Sequence, residues 1–424
     1  MAGLSLRTGF VFFLLFTFHA ALGFPAALGG EETVQKKERS ERPPVVVTGA
    51  ARRLHAECLV FDGHNDLPWS MKIKAGSSFD VADIATLQER FHTDIPRLNE
   101  GGMGAVFWSA YVPSEKGKVG VAARDVLEQI DLIHRMVRRY PETFELARTA
   151  DDVVRIRKSG KIASLIGLEG GHAIENSLGL LRMYAQLGVR YMTLAHSETL
   201  DWVDSATDEA RHGGLTSFGE EVVLAMNELG MLVDVSHVSA DAMRAALRVS
   251  RAPVIASHSS AFAIAPHPRN VPDDVLEMFK ENRGVVMVNF YSAYVVAESA
   301  RARARMFEVE RELEQKYPDR DEFKKAWDDW HETNPIVSGT VHDLIDHIDH
   351  IVRVAGIDCV GLGSDFDGVP MTPDQLDDVS CFPVITQALL DRGYTPRNIR
   401  KIMGENTLRV LREAEQVAGT EREK

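Results

Sequence analysis

The chain has 424 residues, of which 45% are hydrophobic and 26% are charged, a composition typical of globular proteins. Its formal net charge is −14, and no stretch combines a basic patch with interleaved aromatic residues. This excludes nucleic acid as a partner, because phosphate binding needs a positive footprint. The length is compatible with two or three domains, or with one barrel that carries insertions.

The first 24 residues predict a secretory signal peptide. Arg7 supplies a positive n-region, and residues 9–22 form an apolar h-region that is short for a membrane span. Small residues suited to cleavage follow at Ala21 and Gly23, and the C-terminal residues 413–424 lack the apolar tail of a lipid-anchor signal. We expect a mature chain that is secreted or periplasmic and has no membrane anchor. A retained N-terminal anchor is the alternative.

Residues 25–50 are rich in charge, proline and glycine and show no apolar periodicity. They predict a flexible linker. From Leu54 onward, short apolar runs replace this composition. We predict that residues 51–424 form a single catalytic domain.

This domain contains eight short, nearly continuous apolar runs, each followed by a longer amphipathic segment. The runs cover residues 58–61, 105–108, 162–168, 191–195, 231–235, 254–256, 285–290 and 359–362. Continuous apolarity is typical of parallel strands that are covered on both faces. Helix-like segments lie between them, for example at residues 125–139, 218–229, 240–249 and 341–354. Eight strand–helix units favour a (β/α)8 barrel, although their number alone leaves a doubly wound sheet open.

Residues 295–340 are longer than a strand–helix connection needs to be. The segment contains a charged, helix-like stretch over 298–325 and the tryptophans Trp327 and Trp330. We interpret it as a helical insertion or lid above the mouth of the barrel. The charged run from Arg301 to Arg305 predicts a solvated helix face. The tryptophans are expected to pack on the insertion itself or on a partner subunit.

The three cysteines leave one pairing to consider. Cys58 and Cys359 lie six residues before His64 and Asp365, at the starts of the first and last predicted strands, which would be neighbours where a barrel closes. A disulfide is compatible with this placement. Buried free thiols are favoured, because cysteine is commonly buried as a small hydrophobic residue.

Residues of the kind that bind metals follow six of the eight predicted strands at the same end. They are His64 and Asp66, Glu169, His196, His237, His258, and Asp365. The active sites of α/β barrels are built at the carboxyl ends of the strands. We therefore expect these side chains to converge.

The chemistry of these residues predicts a metal centre. His64 and Asp66 are two positions apart in extended chain, so their side chains point the same way. Imidazole and carboxylate are the ligands of zinc and related divalent ions, and a carboxylate can bridge two of them. Without a cation, this many buried ionisable groups would cost many kcal/mol.

Four segments carry a resemblance to a known family. Residues 61–69 (FDGHNDLPW), 166–172 (IGLEGGH), 257–261 (SHSSA) and 363–370 (GSDFDGVP) are similar to the signature segments of the membrane (renal) dipeptidase family. The similarity runs from Leu54 to Val410, and the segments occur in the order found in the family.

This resemblance implies a (β/α)8 barrel that hydrolyses dipeptides with a hydroxide bridging two zinc ions. It implies that His64 and Asp66 ligate one zinc, that His237 and His258 ligate the other, and that Glu169 bridges both. His196 would contact the substrate near the scissile carbonyl, Arg269 would bind the terminal carboxylate, Asp365 would handle the proton and Tyr294 would line the pocket. The family also implies a possible homodimer.

The chain departs from the mammalian members in regions that contact substrate side chains. Glu198 stands where a disulfide cysteine is expected, residues 199–214 are shorter and different, and the 295–340 insertion is longer. The preferred substrate side chains, including the choice between D- and L-residues, therefore stay open.

Two alternative functions of different classes are compatible with parts of the sequence. Other barrel amidohydrolases, acting on non-peptide or D-amino-acid amides, generally begin with a His-x-His pair and often use a carboxylated lysine. Asp66 and Glu169 stand at those points here. A metal-dependent binding protein without catalysis is disfavoured because Asp365 and Arg269 are present.

Four other histidines are not expected to be ligands. His342, His347 and His350 lie on the predicted helix over 341–354, away from the strand ends. His172 follows Glu169 closely, and we expect it to support a ligand or to cap a helix.

Overall fold

Eight parallel strands close into a barrel in the computed structural model of this chain. The structure describes residues 42–422. The predicted signal peptide and residues 25–41 of the predicted linker lie outside the described residues. The compact unit that carries the barrel begins at Pro44.

The sheet consists of nine strands, which are numbered in chain order. They are β1 (Val60–Asn65), β2 (Met103–Tyr111), β3 (Phe144–Leu146), β4 (Ile162–Glu169), β5 (Val189–Thr193), β6 (Leu232–Asp234), β7 (Ile255–Ala256), β8 (Val285–Val288) and β9 (Val360–Leu362). Nearly all their residues are buried, as expected for strands covered on both faces.

The barrel closes between the first and last strands, where Asp62 of β1 pairs with Leu362 of β9. β1 also pairs with β2, and β2 pairs with β4 over seven residues, from Ala105–Ala163 to Tyr111–Glu169. The ring therefore runs β1-β2-β4-β5-β6-β7-β8-β9. Each predicted apolar run contributes one strand of this ring, so the predicted (β/α)8 barrel is confirmed.

The short strand β3 was not predicted from the sequence. It pairs with the start of β4, with Phe144 opposite Ile162, on the edge of β4 that β5 occupies further along. β3 has three residues, and only Phe144 among them is fully buried. It has no continuous apolar run because it extends the base of the sheet without contributing to the ring.

Helices connect the strands and form the outer layer. They are α1 (Gly49–Glu57), α2 (Leu67–Ala75), α3 (Ile95–Glu100), α4 (Glu115–Lys118), α5 (Ala122–Arg139), α6 (Ala150–Lys158), α7 (Leu178–Leu187), α8 (Ser217–Leu229), α9 (Ala240–Val249), α10 (Asp273–Asn282), α11 (Ser292–Val295), α12 (Ala297–Lys316), α13 (Arg320–Thr333), α14 (Val341–Ala355), α15 (Phe382–Asp391), α16 (Pro396–Arg400) and α17 (Asn406–Arg422). Short 3-10 helices occupy Gly171–Ile174 and Ile357–Cys359, and a π-helical turn occupies Lys401–Glu405.

The predicted helix over residues 240–249 has the same bounds in the structure. Ser239 caps it, since its hydroxyl accepts a hydrogen bond from the backbone N–H of Ala242. The other predicted helices lie within α5, α8 and α14. Amphipathic periodicity was sufficient to locate these elements.

The predicted insertion consists of two helices, α12 and α13, between β8 and α14. Its position after β8 places it at the carboxyl end of the barrel. Its base is tied together by Ser299, whose hydroxyl donates to the carbonyl of Val337 at 3.1 Å and accepts from the N–H of Val337 at 2.9 Å. Along α13, Trp327 stacks on Phe323 and on Trp330, so the tryptophans pack within the insertion.

The folded domain starts earlier than residue 51, where the sequence analysis placed its boundary. The side-chain oxygen of Gln375 accepts a hydrogen bond from the N–H of Val45 at 2.8 Å. Helix α1 then begins at Gly49 and is capped by the hydroxyl of Thr48, which accepts from Ala51. Residues 45–48 therefore belong to the folded unit, because their polar groups find partners on it.

Cys58, Cys359 and Cys381 are all free and buried. The preference for free thiols over a bridge between Cys58 and Cys359 is confirmed. Among residues 42–422, no helix is both long enough and apolar enough to cross a bilayer.

Candidate metal centre

Strand β1 carries the first pair of predicted ligands, His64 and Asp66, at its carboxyl end. Nε2 of His64 lies 3.2 Å from Oδ2 of Asp66, and both side chains are buried. The hydroxyl of Tyr191 lies 2.7 Å from the other ring nitrogen, Nδ1 of His64. Tyr191 therefore holds the imidazole at Nδ1, and Nε2 points to the Asp66 carboxylate.

Glu169, the last residue of β4, lies at the middle of the site. Its Oε2 atom lies 3.4 Å from Nε2 of His64 and accepts a hydrogen bond from the hydroxyl of Ser109 at 3.0 Å. Its Oε1 atom lies 3.1 Å from Nε2 of His237 and 3.6 Å from Nε2 of His258. The two oxygens of one carboxylate therefore face two different sets of predicted ligands.

The remaining histidines lie on the Oε1 side of Glu169. The Nε2 atoms of His237 and His258 are 2.8 Å apart. The ring of His196 stacks on that of His237 with centroids 4.1 Å apart. The side chain of His196 is 19% exposed, against 11% for His237 and 1% for His258. His196 therefore faces the mouth of the barrel, as expected for a group that contacts substrate.

Asp365 completes the site from the loop after β9. Its carboxylate lies within 4.8 Å of ligand atoms of His64 and Asp66, and its Oδ2 atom accepts a hydrogen bond from the amide of Asn289 at 2.8 Å. Asp365 and His237 both have left-handed backbone conformations, with φ of 63° and 69°. Such conformations cost energy for residues with a Cβ and occur preferentially at functional sites.

Close packing of backbone against carboxylates also shapes the site. Gly368 follows Asp365, and a Cβ atom at this position would lie 2.3 Å from Oδ2 of Asp66 and 2.7 Å from Oδ1 of Asp365. Only glycine leaves room for both carboxylates at this point.

The loop of residues 199–214 holds two of the histidines through their backbones. The hydroxyl of Ser205 donates to the carbonyl of His196 at 2.6 Å, and the N–H of Ala206 donates to the carbonyl of His237 at 2.8 Å. This loop is organised by Asp204, whose carboxylate accepts hydrogen bonds from the backbone N–H groups of three residues. The donors are Arg211 at 2.7 Å, His212 at 3.0 Å and Gly214 at 2.8 Å.

The electrostatics keep three of the histidines neutral. Burial lowers the pKa of His196 to about 4 and holds those of His237 and His258 well below the ordinary value, and the Arg269 charge lowers all three further. A neutral imidazole has a free lone pair, which metal ligation requires.

The buried carboxylates of Asp66 and Glu169 stabilise positive charge beside His64. Burial opposes ionisation of Glu169, but His64 and His237 outweigh it and hold the Glu169 pKa well below its usual range. Burial, with Asp66 and Glu169 nearby, raises the pKa of Asp365 well above its usual range. Burial alone would lower the pKa of His64, but Tyr191, Glu169 and Asp66 raise it well above the ordinary value.

The donor set fits divalent cations. Nε2 of His64 is buried beside the carboxylates of Asp66 and Glu169 and makes no hydrogen bond, so a cation at this point, a proton or a metal ion, is favoured. Across residues 42–422, the groups of three side chains that can hold a metal are all found here. They are His64–Glu169–His258, Glu169–His196–His237 and His64–Asp66–Asp365. Nitrogen and oxygen ligands in such clusters suit zinc-like ions.

Arg269 approaches this centre from the loop between β7 and α10. It is 1% exposed. Its guanidinium makes only long contacts, to the hydroxyl of Ser259 at 3.3 Å and to the carbonyl of His258 at 3.4 Å, and its buried Nε atom has no partner. The cation lies over the ring of Tyr294 at 5.3 Å. A buried arginine with unused donors is suited to bind a carboxylate.

The structure also identifies polar residues that the sequence analysis missed. Ser109 contacts Glu169, Tyr191 contacts His64, and Asn289 contacts Asp365. Each contact joins residues at least 60 positions apart. Ser257 directly precedes His258 and was within the quoted segment, so its adjacency was a signal that could have identified it.

The histidines that were set aside have structural partners. Nδ1 of His347 accepts from the N–H of Ala261, and its Nε2 donates to the carbonyl of Val295. His350 contacts Asp273 at 2.6 Å. His172 lies in the 3-10 helix after β4 and its Nε2 donates to the carbonyl of Val112 at 2.9 Å. None of the three belongs to a metal-holding group within the described part of the chain.

Comparison with known proteins identifies relatives of the whole barrel. A model of the membrane dipeptidase family (peptidase family M19) matches residues 49–424. Dipeptidase tcpJ of Claviceps purpurea (strain 20.1) is 42% identical over 395 residues, which cover 91% of this chain and 82% of the relative.

Solved structures have the same architecture. The probable dipeptidase PvdM from Pseudomonas aeruginosa matches with a TM-score of 0.75 and 25% identity, covering 87% of this chain and 98% of its own. A metallopeptidase from Rhodobacter sphaeroides, liganded with a phosphinate mimic of the dipeptide L-Ala-D-Ala, matches with a TM-score of 0.68 and 24% identity. That match covers 84% of this chain and 99% of the neighbour.

Proposed function

Because the chain belongs to the membrane dipeptidase family of metallopeptidases, we propose that it hydrolyses the peptide bond of dipeptides at a centre of two zinc ions. The observation that carries this proposal is the position of Glu169. One of its oxygens faces His64 at 3.4 Å and the other faces His237 at 3.1 Å. A carboxylate placed between two ligand sets in this way is suited to bridge two cations.

The proposed ligands are His64 and Asp66 on one side, His237 and His258 on the other, and Glu169 between them. Bound zinc would supply a hydroxide nucleophile near neutral pH and would polarise the scissile carbonyl. The residues around it would bind and orient the substrate and transfer protons.

Arg269 would hold the terminal carboxylate of the substrate. Its unpartnered Nε and its long contacts to Ser259 and His258 leave donors available for a planar acceptor. A carboxylate fixed there would limit the substrate to one residue beyond the scissile bond. This distinguishes a dipeptidase from an endopeptidase.

Asp365 and His196 would act on the reacting atoms. Asp365 is oriented by Asn289 and lies within reach of the ligands His64 and Asp66. In this position it would accept a proton from the attacking water and pass it to the leaving amine. His196 is the most exposed of the clustered histidines and would stabilise negative charge on the carbonyl oxygen. Tyr294 would form the wall behind Arg269.

The test is metal analysis combined with hydrolysis of a dipeptide panel. We expect two zinc ions per chain, loss of hydrolysis after chelation and recovery on adding zinc. The panel should contain L-Ala-L-Ala, L-Ala-D-Ala and their amides, because one structural neighbour binds a mimic of L-Ala-D-Ala. Hydrolysis that is indifferent to chelation, or fully restored by one equivalent of zinc, would contradict the proposal. Preferential cleavage of the amides would favour the amidohydrolase alternative.

We also propose that the protein is exported, from the apolar segment and cleavage-site residues at positions 1–24. Expression of the full chain in a secreting host should give a mature N-terminus near Phe24, as read by mass spectrometry. A chain retained with its first residues intact would contradict export by cleavage. A homodimer is expected from the family and is tested by light scattering.

A further inference from the structure

A chain of buried polar groups lies beneath the histidine ligands and centres on Asp234, the last residue of β6. Its side chain is completely buried. Its Oδ2 atom accepts hydrogen bonds from two hydroxyls, those of Thr193 at 2.5 Å and Ser257 at 2.7 Å. Its Oδ1 atom accepts from two backbone N–H groups, those of Ser236 at 3.1 Å and Ser257 at 2.8 Å. All four donors point at one carboxylate.

These contacts determine which acceptor receives the single hydrogen bond that the Ser257 hydroxyl can donate. The Asp234 carboxylate can only accept, so the proton lies between Ser257 and Asp234. Apart from Nδ1 of His258, the other acceptor near this hydroxyl within the described chain is Oγ of Ser236, at 3.4 Å, which is at the limit of a hydrogen bond. The Ser257 oxygen is then left as an acceptor toward its other neighbour.

That neighbour is Nδ1 of His258, at 2.7 Å from Oγ of Ser257. Because Ser257 donates to Asp234, it must accept from His258, and His258 must carry its proton on Nδ1. Its Nε2 atom is then the unprotonated nitrogen, and it faces Glu169 at 3.6 Å.

We infer that Asp234 is a positioning residue of the metal centre, which acts through Ser257 to hold His258 in the tautomer whose Nε2 lone pair is free for a metal ion. This inference rests on the proposed function, because it assigns a role in binding one of the two proposed zinc ions. Support of this kind behind a ligating histidine typically fixes the ring orientation and raises ligand basicity.

The other half of the centre is built differently. Nδ1 of His64 contacts the hydroxyl of Tyr191 at 2.7 Å, a neutral group. The Tyr191 ring fits under the site because Gly167 has no side chain, since a Cβ atom there would lie 2.4 Å from the phenol oxygen. Loss of the Asp234 contact should therefore affect the zinc site of His258 more than the zinc site of His64.

Two variants form a matched pair for the test. Ser257→Ala and Thr193→Val each remove one hydroxyl donor from Oδ2 of Asp234, but only Ser257 contacts His258. Zinc affinity of both sites should be measured by competition with a chromogenic chelator. We expect Ser257→Ala to weaken one zinc site by about tenfold or more and to leave the other within about threefold. Thr193→Val should leave both sites within about threefold of the wild type.

Asp234→Asn tests the direction of the proton. The backbone N–H groups of Ser236 and Ser257 keep the amide oxygen on their side, so the NH₂ group faces Ser257 and Thr193. Ser257 then accepts from the amide and is free to donate to Nδ1 of His258, its nearer acceptor at 2.7 Å, which moves the imidazole proton to Nε2. We expect this nearly isosteric variant to weaken the same zinc site at least as much as Ser257→Ala does.

The melting temperatures of the zinc-free proteins separate positioning from folding. Both hydroxyl variants should lose similar stability, because Asp234 loses one donor in each. Equal zinc affinities in Ser257→Ala and Thr193→Val would overturn the inference, as would wild-type affinity in a folded Asp234→Asn protein. Failure of the wild-type protein to bind two zinc ions would instead overturn the proposed function.

Discussion

The guanidinium of Arg269 lies against the ring of Tyr294, with its central carbon 5.3 Å from the ring centroid. The aromatic face neutralises part of the cost of burying the cation and leaves its hydrogen-bond donors directed away from the ring. A buried arginine stacked in this way is held ready for one planar anion.

Arg269→Ala should therefore discriminate between substrates that differ only at the C-terminus. We expect kcat/KM for a free-carboxylate dipeptide to fall about a hundredfold, because charge-assisted hydrogen bonds are lost. The corresponding dipeptide amide should lose less than about threefold. Steady-state kinetics on the two substrates provide the measurement. Equal losses would show that Arg269 maintains the site without binding the carboxylate.

Gly368→Ala should damage the metal centre directly. The added Cβ atom would meet carboxylate oxygens of Asp66 and Asp365 at 2.3 and 2.7 Å, so both must move. We expect zinc affinity and kcat each to fall by about tenfold or more. Gly419→Ala, in α17, is the control, because nothing lies within 4 Å of its Cβ position. A Gly368→Ala enzyme with full zinc content and wild-type kcat would contradict the assignment of these carboxylates.

Asp204→Ala should loosen the loop of residues 199–214. Three backbone N–H groups lose their acceptor, and the bond to Gly214 is buried, where an unmade hydrogen bond costs about 1–3 kcal/mol. The loop also holds the carbonyls of His196 and His237, so kcat should fall together with resistance to proteolysis in this loop. Limited proteolysis followed by mass spectrometry gives the cleavage sites.

The matched control for this loop is Asp201→Ala. Asp201 accepts one hydrogen bond, from the side chain of Asn176 in an exposed position, and its loss should leave both proteolysis and kcat near wild type. Indistinguishable behaviour of the two variants would contradict the organising role of Asp204.

The buried histidine His267 should make stability depend on pH. Burial and the charge of Arg269 lower its pKa to about 3, and its Nδ1 accepts the N–H of Arg269 at 3.1 Å. In the unfolded chain its pKa is close to 6.5, so the unfolded state binds the extra proton and stability falls as the pH drops from about 6.5 toward 3. Between pH 7 and 5 this group should account for a loss of about 2 kcal/mol.

The comparison is between the wild type and His267→Asn, which retains an acceptor for the N–H of Arg269. Chemical denaturation at pH 7 and pH 5 measures the free energy of unfolding of each protein. The variant should lose about 2 kcal/mol less than the wild type over this interval. Parallel losses in the two proteins would show that His267 titrates alike in the folded and unfolded states.

The barrel was predictable because its strands are buried on both faces and therefore appear as continuous apolar runs. Strand β3 was not predictable in this way. It has one fully buried residue out of three, and so short a strand gives no continuous apolar run. The insertion was recognisable from its length and charge, whereas the stacking of Trp327 on Trp330 required coordinates.

The convergence of the candidate metal ligands was predictable for a topological reason. Parallel strands of one barrel end on the same side, so Glu169 and His237 could be expected to meet without knowledge of any distance. Supporting residues obey no such rule. Tyr191, which contacts His64, lies 127 positions away from it in the sequence. Asp234 acts on His258 only through Ser257. Hydrogen bonds of this type depend on register and rotamer, which sequence periodicity does not report.

The pairing of β1 with β9 has a consequence for the biogenesis of the protein. Asp365 and Ser364 donate to the carbonyl of His64 across about 300 positions of sequence, so the candidate site, with Asp365 in it, is complete only when the two ends of the domain have met. Closing so long a segment is slow relative to local helix formation. A nascent chain that has not yet emerged past β9 carries all five proposed ligands but lacks Asp365, so the proposed hydrolysis should begin only when folding is complete. The specific activity of a purified sample would then report the fraction of molecules whose barrel is closed.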